Sequence, residues 1–410
     1  MAIARCWSHS GQAALPRVRH LVWVTGLAVV LIAVLSGPLL WGLGYALRGD
    51  GGGIDFSIFL QSGRALARGA NPYAAFTGPL WRATPWMVGP NLNPPVSLVL
   101  LRPLASLAPL AAFHAWHVWQ IISLLCYLAA LLLLVRAYPR PSLPLIVAWA
   151  VSLFGLWQTL FAGNLYLPLV LVCTGAWLLL ARGHPRAACV LIGVAAAFKP
   201  QLLVWLVLLA LAGTMGPSLL GAAVVVGLWA LPVLVFGPAV YAQWLATLPG
   251  PFLASTENGS LIGVLAHHGM ARLGIPFTAA VLGGLAFIVR RRRPDLLTVS
   301  GLGLVAALLA SPITWAGYVL LLLPLFFAWR WDWTLRMAAG LLLLPDDVLL
   351  RMSTGWPVVT DLPGVMRLAV LTLLVAALLG GRLRPTPPRL SFRRMAPPPP
   401  PSAPPTTPAG

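Results

Sequence analysis

Acidic side chains are nearly missing from this sequence. Its 410 residues hold 8 Asp plus Glu against 27 Lys plus Arg, a net charge of +19. Charged residues of both signs reach only 9%, where a soluble domain carries about 25%. That deficit excludes a single soluble globular fold. Intrinsic disorder is excluded as well, because 59% of the residues are hydrophobic and disorder needs low hydrophobicity. Lysine occurs once, at Lys199; every other cation is arginine. Cysteine is scarce, and Cys6, Cys126, Cys173 and Cys189 form neither a CxxC pair nor a zinc-type spacing. No GxGxxG, Walker, HExxH or GxSxG pattern occurs, which argues against a nucleotide held on a Rossmann fold.

What the chain has instead is apolar length. Its mean hydropathy is +0.88, and a bilayer-spanning helix needs about 20 mostly apolar residues. The runs predict an all-α, polytopic integral membrane protein of about twelve transmembrane or half-membrane helices. They fall near 21–47, 110–135, 143–161, 165–181, 187–198, 201–213, 218–236, 276–290, 296–312, 315–329, 334–350 and 363–381. The first run is long and lacks a clear cleavage site, so it reads as a retained helix. The short pair 187–198 and 201–213 flanks Lys199-Pro200. It reads as a broken or re-entrant element, tolerated where it lines a cavity.

The cations set an expected orientation. With the N-terminus (1–20) in the cytoplasm, 18 of the 27 cations face inward, including Arg290 to Arg293 and the tail arginines. The transmembrane domain then covers 21–381. Residues 382–410 form a basic, proline-rich cytoplasmic tail, expected to be disordered. Two long external loops remain, at about 48–109 and 237–275. The high net charge thus records topology; nucleic acid would require cations gathered on one face.

Few residues are left to carry chemistry. Asp55 follows the first span; a carboxylate there can serve as a general base on a hydroxyl, or as the helix N-cap of an amphipathic stretch from Ser57 to Ala70. Lys199 lies between apolar half-helices, where a charge is costly and tends to be functional; its plain alternative is snorkelling to the interface. Arg64, Arg68, Arg82 and Arg102 crowd the first loop, and a guanidinium fork suits phosphate, although ordinary surface charge explains some of them. Glu257 is a second external acid. Asn164 can bond a substrate hydroxyl or cap the following helix. His114 and His117 share a helical face, but without a carboxylate partner they suit packing against Trp116 and Trp119 better than a metal. His267 and His268 point different ways. No metal is required by the sequence, though a divalent ion beside a phosphate would be compatible with it.

Several blocks together resemble glycosyltransferase family 87, the DUF2029 type. They are Asp55-Phe56, Gly69-Ala70-Asn71-Pro72-Tyr73 and Asn93-Pro94-Pro95, then Gly193 to Lys199-Pro200, Glu257-Asn258-Gly259-Ser260-Leu261, and Ser311-Pro312-Ile313-Thr314-Trp315 with Tyr318. Their order over residues 50–325 carries the resemblance. It implies a GT-C-like membrane enzyme that moves a sugar, mannose first among the options, from a polyprenyl-phosphate donor to a glycan or glycolipid acceptor. It places the reaction on the external face of a bacterial-type plasma membrane. By resemblance, Asp55 is the catalytic base. The residues themselves suggest the rest: Lys199, with one or more of Arg64, Arg68 and Arg102, for the lipid phosphate, and Asn164, Glu257, Asn258 and Tyr318 around the substrates. The sequence departs from the family at Asn93, where Tyr is common, at Ala162-Gly163 for Gly-Gln, and at Gly317 for His. These positions bear on sugar and acceptor identity.

The chemistry agrees with that division of residues. Glycosidases need two carboxylates, one to protonate a poor leaving group. A lipid phosphate leaves without an acid, so one base plus cations for the departing charge suffices. Two other classes are open at this level: a secondary transporter with broken helices, and a non-catalytic membrane assembly protein. The assembly protein would leave Asp55 and Lys199 far apart.

Overall fold

The computed structural model describes residues 52–78, 87–248, 250–354 and 361–381. The expected first span at 21–47, Arg82 and the tail from 382 lie outside them.

The described chain is a helical array with one small hairpin. Helix α1 (Ile54–Ala67) leads to β1 (Phe76–Gly78), which pairs antiparallel with β2 (Met87–Gly89). There follow α2 (Val96–Leu101), α3 (Pro109–Ala137), α4 (Leu143–Ser152), α5 (Phe154–Ala162), α6 (Tyr166–Ala181), α7 (Pro185–Phe198), α8 (Leu203–Leu211) and α9 (Met215–Phe236). The remainder is α10 (Ala239–Leu245), α11 (Leu261–His267), α12 (Ala271–Arg292), α13 (Leu296–Ala310), α14 (Leu323–Ala328), α15 (Trp333–Leu341), α16 (Asp346–Thr354) and α17 (Leu362–Leu379).

Four of these helices are long and apolar enough to cross a membrane: α3, α9, α12 and α17. The pair α4–α5 adds a fifth if its two halves, bent by 42°, count as one span. Side chains on these helices point apolar surface outward; Leu234 on α9 is 80% exposed, and Leu110, Ile121, Leu219 and Ile275 are exposed too. Such a surface belongs in lipid. Among the described residues the expected dozen spans are therefore not reached.

Part of the shortfall comes from unbroken apolar helices of 10–17 residues, such as α6, α7 and α13, and part from helix breaks. The run at 334–350 is two short helices, α15 and α16, because Pro345 cannot continue a helix. The run at 143–161 breaks at Leu153, where the Trp157 indole donates to the freed Val151 carbonyl at 3.0 Å. The run at 315–329 starts as a 3-10 turn, Ala316–Leu322, and becomes α14 only at Leu323. The break expected at Lys199-Pro200 is present: α7 ends at Phe198, and Pro200–Leu202 form one 3-10 turn before α8.

The two stretches read as external loops are folded. Helix α1 begins three residues before the expected amphipathic stretch and buries nearly every side, including Phe56, Ser57, Phe59, Leu60 and Ser62. It is an internal helix rather than a surface one. The second stretch contains α10, the turn Pro251–Ala254 and α11, and α12 already starts at Ala271.

The core is built around α13, whose residues Thr298 to Leu309 are all buried. A helix apolar on all sides belongs either in lipid or in a packed core, and the complete burial of this stretch puts α13 in the core. Helices α7 and α9 pack still closer. A Cβ on Gly193 would come within 2.3 Å of the Gly221 carbonyl oxygen, so only glycine permits the contact.

Candidate active site

The start of α1 meets the end of α5. The Gly53 amide donates to the Phe161 carbonyl at 2.7 Å, and Gly53 adopts φ 79° at the N-cap. Helix α5 closes at Gly163, φ 73°. That conformation favours glycine, and a Cβ there would meet Phe56 Cβ at 2.8 Å and Trp116 Cδ1 at 3.0 Å. These two glycine turns bring Asp55 and Asn164 together across 109 residues.

Asn164 Nδ2 donates to Asp55 Oδ2 at 2.6 Å. Its own Oδ1 accepts from the Leu165 amide at 2.6 Å. The second bond fixes the amide orientation, because only Oδ1 can accept. Asp55 makes no cap bond; the cap position belongs to Gly53, so the helix-cap alternative is removed. The Asp55 side chain is partly exposed. Its carboxyl lies above the usual carboxylate range, because burial penalises the anion more than Asn164 and the Lys199 charge stabilise it.

Lys199 follows α7 and is 6% exposed. Nζ donates to Asn93 Oδ1 at 2.9 Å. The ammonium also lies over two aromatic rings, 4.3 Å from the Tyr166 centroid and 5.1 Å from that of Tyr318. Cation–π attraction stabilises a desolvated cation in that position. Buried and held this way, Lys199 does not snorkel.

Asn93 is held in turn. Its backbone amide and Nδ2 donate to Asn91 Oδ1, at 3.0 and 3.2 Å. The Tyr73 hydroxyl donates to its carbonyl at 3.1 Å, and Tyr73 is itself set by an Asn71 turn at 2.8 Å. The Asn-Pro-Tyr and Asn-Pro-Pro blocks thus form one polar support behind Lys199.

Asp55 and Lys199 share this centre without a salt bridge among the described residues. Each feels the other's charge, and both tyrosines feel Asp55. The separation expected of an assembly protein is not found.

The arginines are not gathered here. Arg64 turns away to donate from Nε to the Ala105 carbonyl at 2.9 Å and from Nη2 to the Leu107 carbonyl. Arg68 is exposed at the C-cap of α1. Arg102 is exposed and lies over the Phe236 ring at 5.7 Å.

Asn258 is fully committed to backbone. It donates to the Leu253 and Pro312 carbonyls at 2.9 and 2.8 Å. It accepts from the Ser260 and Thr314 amides at 3.1 and 2.8 Å. Its side chain latches the 253–260 segment to the Ser311–Thr314 turn. The Glu257 carbonyl accepts from Arg367, which pairs with buried Asp346. His117 packs on Phe113 and Trp116, with ring centroids 4.5 and 4.6 Å away. His268 meets Asp361 at 3.2 Å. Among the described residues no three His, Cys, Asp or Glu side chains form a metal-sized group.

Three members of this centre carried no clear sequence signal. Tyr166 opens α6 inside an apolar run, and Asn91 lies just outside the recognised blocks, between Tyr73 and Asn93. Asn93 stood in a recognised block and as a departure from the family pattern, but nothing marked it as a partner of Lys199.

The fold and this centre define a helical membrane protein in which a partly exposed carboxylate and a buried lysine lie within electrostatic reach of each other. Comparison with known sequences makes the class specific. The chain belongs to glycosyltransferase family 87, whose sequence profile matches residues 91–312, more than half of its length. It is a membrane glycosyltransferase. The match holds Asn93, Asn164, Tyr166, Lys199 and Asn258, and begins after Asp55. No curated protein and no solved structure matches the chain.

Proposed function

We propose that the protein transfers mannose from a polyprenyl-phosphate donor to a hydroxyl of a glycan or glycolipid. The reaction takes place at the external face of a bacterial-type plasma membrane, with both termini cytoplasmic. The acceptor oxygen attacks C1 of the sugar, and the bond from C1 to the phosphate oxygen breaks. The acceptor proton passes to Asp55, and polyprenyl phosphate departs as an anion. Lys199 stabilises the charge that grows on the leaving phosphate. Asn164 and Tyr318 border the same space, and Glu257 and Asn258 shape its wall from the 253–260 segment.

The observation that carries this reading is the pairing of one partly exposed carboxylate with one enclosed lysine. A base and a cation are what a phosphate-leaving transfer needs; a second carboxylate would be needed for hydrolysis of an ordinary glycoside. As proposed, the transfer calls on no resident cofactor. Addition of a chelator tests whether a divalent ion joins the donor phosphate.

The direct test supplies membranes containing the protein with labelled polyprenyl-phosphate sugars and analyses the labelled product. Mannose should transfer in preference to other sugars. Asp55→Asn should abolish transfer while leaving expression and thermal stability intact. A fully active Asp55→Asn enzyme would sink the assignment.

A further inference from the structure

We infer that Asn93 is the positioning residue of Lys199: its neutral amide oxygen orients the ammonium and leaves the positive charge unpaired for the departing phosphate. This rests on the transfer reaction proposed above and gives a role to a residue which that reaction does not name.

Asn93 is buried, 8% exposed, and its amide has one direction only. Nδ2 donates to Asn91 Oδ1 at 3.2 Å. Oδ1, the other end of the same amide, accepts from Lys199 Nζ at 2.9 Å. A flipped amide would set donor against donor at Lys199 and oxygen against oxygen at Asn91. The main chain is held as well. Its amide donates to the same Asn91 oxygen at 3.0 Å, and its carbonyl accepts from the Tyr73 hydroxyl at 3.1 Å. Pro94 and Pro95 follow, and a following proline disfavours helical backbone at Asn93. The oxygen is therefore aimed at Lys199 by the protein alone.

The partner's neutrality is the functional part. A fully buried lysine is ordinarily paired with an opposite charge. Here the recorded hydrogen-bond partner is an amide, and among the described residues no carboxylate comes within salt-bridge distance of Lys199. Its other neighbours are the faces of Tyr166 and Tyr318, which stabilise a cation without cancelling its charge. A carboxylate at position 93 would hold the ammonium more tightly. It would also offset the positive field that stabilises a leaving phosphate. A neutral oxygen supplies direction and leaves the charge intact.

Two substitutions separate direction from charge. Asn93→Asp keeps the shape and adds a negative charge beside Lys199; Asn93→Ala removes the oxygen and leaves the lysine charged. Affinity for polyprenyl monophosphate is measured on the purified protein in detergent, with polyprenol as the phosphate-free control. In Asn93→Asp, affinity for the phosphate should fall by about tenfold or more, the scale of one charge-assisted hydrogen bond, with polyprenol unchanged. In Asn93→Ala the affinity should fall less, while kcat for transfer falls by about tenfold or more because the ammonium is no longer aimed. Added to Lys199→Met, Asn93→Ala should cost no further activity to within about twofold, since residues that act as a unit are not additive. A residue that only shapes its loop predicts the reverse: the isosteric Asn93→Asp would be milder than Asn93→Ala, and the Asn93→Ala loss would persist in Lys199→Met. Either result would overturn the inference, as would equal losses for both lipids. Should Asn93→Asp fail to fold, the Asn93→Ala and Lys199→Met cycle decides alone. Binding of the phosphate does not depend on acceptor or Asp55, so a fully active Asp55→Asn enzyme would remove the proposed base and leave these affinities readable.

Discussion

The Asn164 amide holds Asp55 by one oxygen, donating to Oδ2 at 2.6 Å while the Leu165 amide locks its other end. The arrangement leaves Oδ1 for an incoming hydroxyl and makes Asn164 a positioning residue for the base. A carboxylate that accepts a hydrogen bond is stabilised in its charged form. Removing the donor therefore raises its pKa further above the ordinary value of about 3.9. In Asn164→Ala, the acid limb of the pH–rate profile should move to higher pH. At neutral pH kcat should fall about tenfold, less than the roughly 10²–10⁴-fold that a general base supplies. An unshifted profile with lowered activity would leave Asn164 as a packing residue only.

Lys199→Met keeps the apolar stem and removes the charge between the two tyrosine rings. Transfer should drop by about 10²-fold or more, the scale of one lost preorganised donor to developing charge. The acid limb should also move to higher pH, because Lys199 stabilises the Asp55 anion. Lys199→Arg should not restore activity, since a planar fork does not replace a compact ammonium at this site. Initial rates across pH, with thermal unfolding as the control, check each point.

Asn258 should behave as a structural latch. Asn258→Ala leaves the buried Thr314 amide without its acceptor, while Ser260 still donates to the Pro312 carbonyl; a buried group left unpaired costs roughly 1–3 kcal/mol. The expected result is a lowered unfolding temperature in detergent. The rate loss should follow the loss of folded protein, and KM for the donor should be unchanged. A changed KM at full stability would put Asn258 in contact with substrate.

Arg68 and Arg102 are exposed and hold neither Asp55 nor Lys199. Substitution at such surface positions usually alters free energies by less than about 0.5 kcal/mol. Arg68→Ala and Arg102→Ala should each retain transfer within about twofold of wild type, measured at subsaturating donor. A tenfold rise in KM for either would return that arginine to the donor site.

Breaking the Arg367–Asp346 pair should destabilise the packing of α16 and α17 against the Glu257 backbone. Both side chains are buried, and removal of one partner strands a charge at a cost of about 3–5 kcal/mol. Arg367→Met should unfold at a much lower temperature than wild type. The double variant Arg367→Met with Asp346→Leu should recover most of that loss, which a thermal scan would show.

Some of this was readable before any coordinates. Asp55 and Lys199 stood out because acids and lysine are so rare that each remaining one must be accounted for. The break at Lys199-Pro200 was readable because proline cannot continue a helix. The bend at Leu153 was not, because no proline marks it. Asn164 was noticed, but its partner was not, since a contact across 109 residues leaves no local trace. Tyr166 and Asn91 were invisible for the same reason: one supplies a ring beneath Lys199, which lies 33 positions later, and the other supports Asn93 behind it.

Composition by itself determined that the chain lives in a membrane and is built of helices, because lipid leaves backbone groups no partner but one another. It also limited the chemistry to a handful of side chains, and the ordered blocks pointed to the family. Tertiary structure decided how those residues are used. Gly53 and Gly163 turn two chain segments toward each other, which sets Asp55 on Asn164. Packing of α6 and the Ala316–Leu322 turn beside the end of α7 encloses Lys199 between two rings. Apolar runs specify where helices are stable in lipid; only their mutual packing specifies which polar groups are buried together.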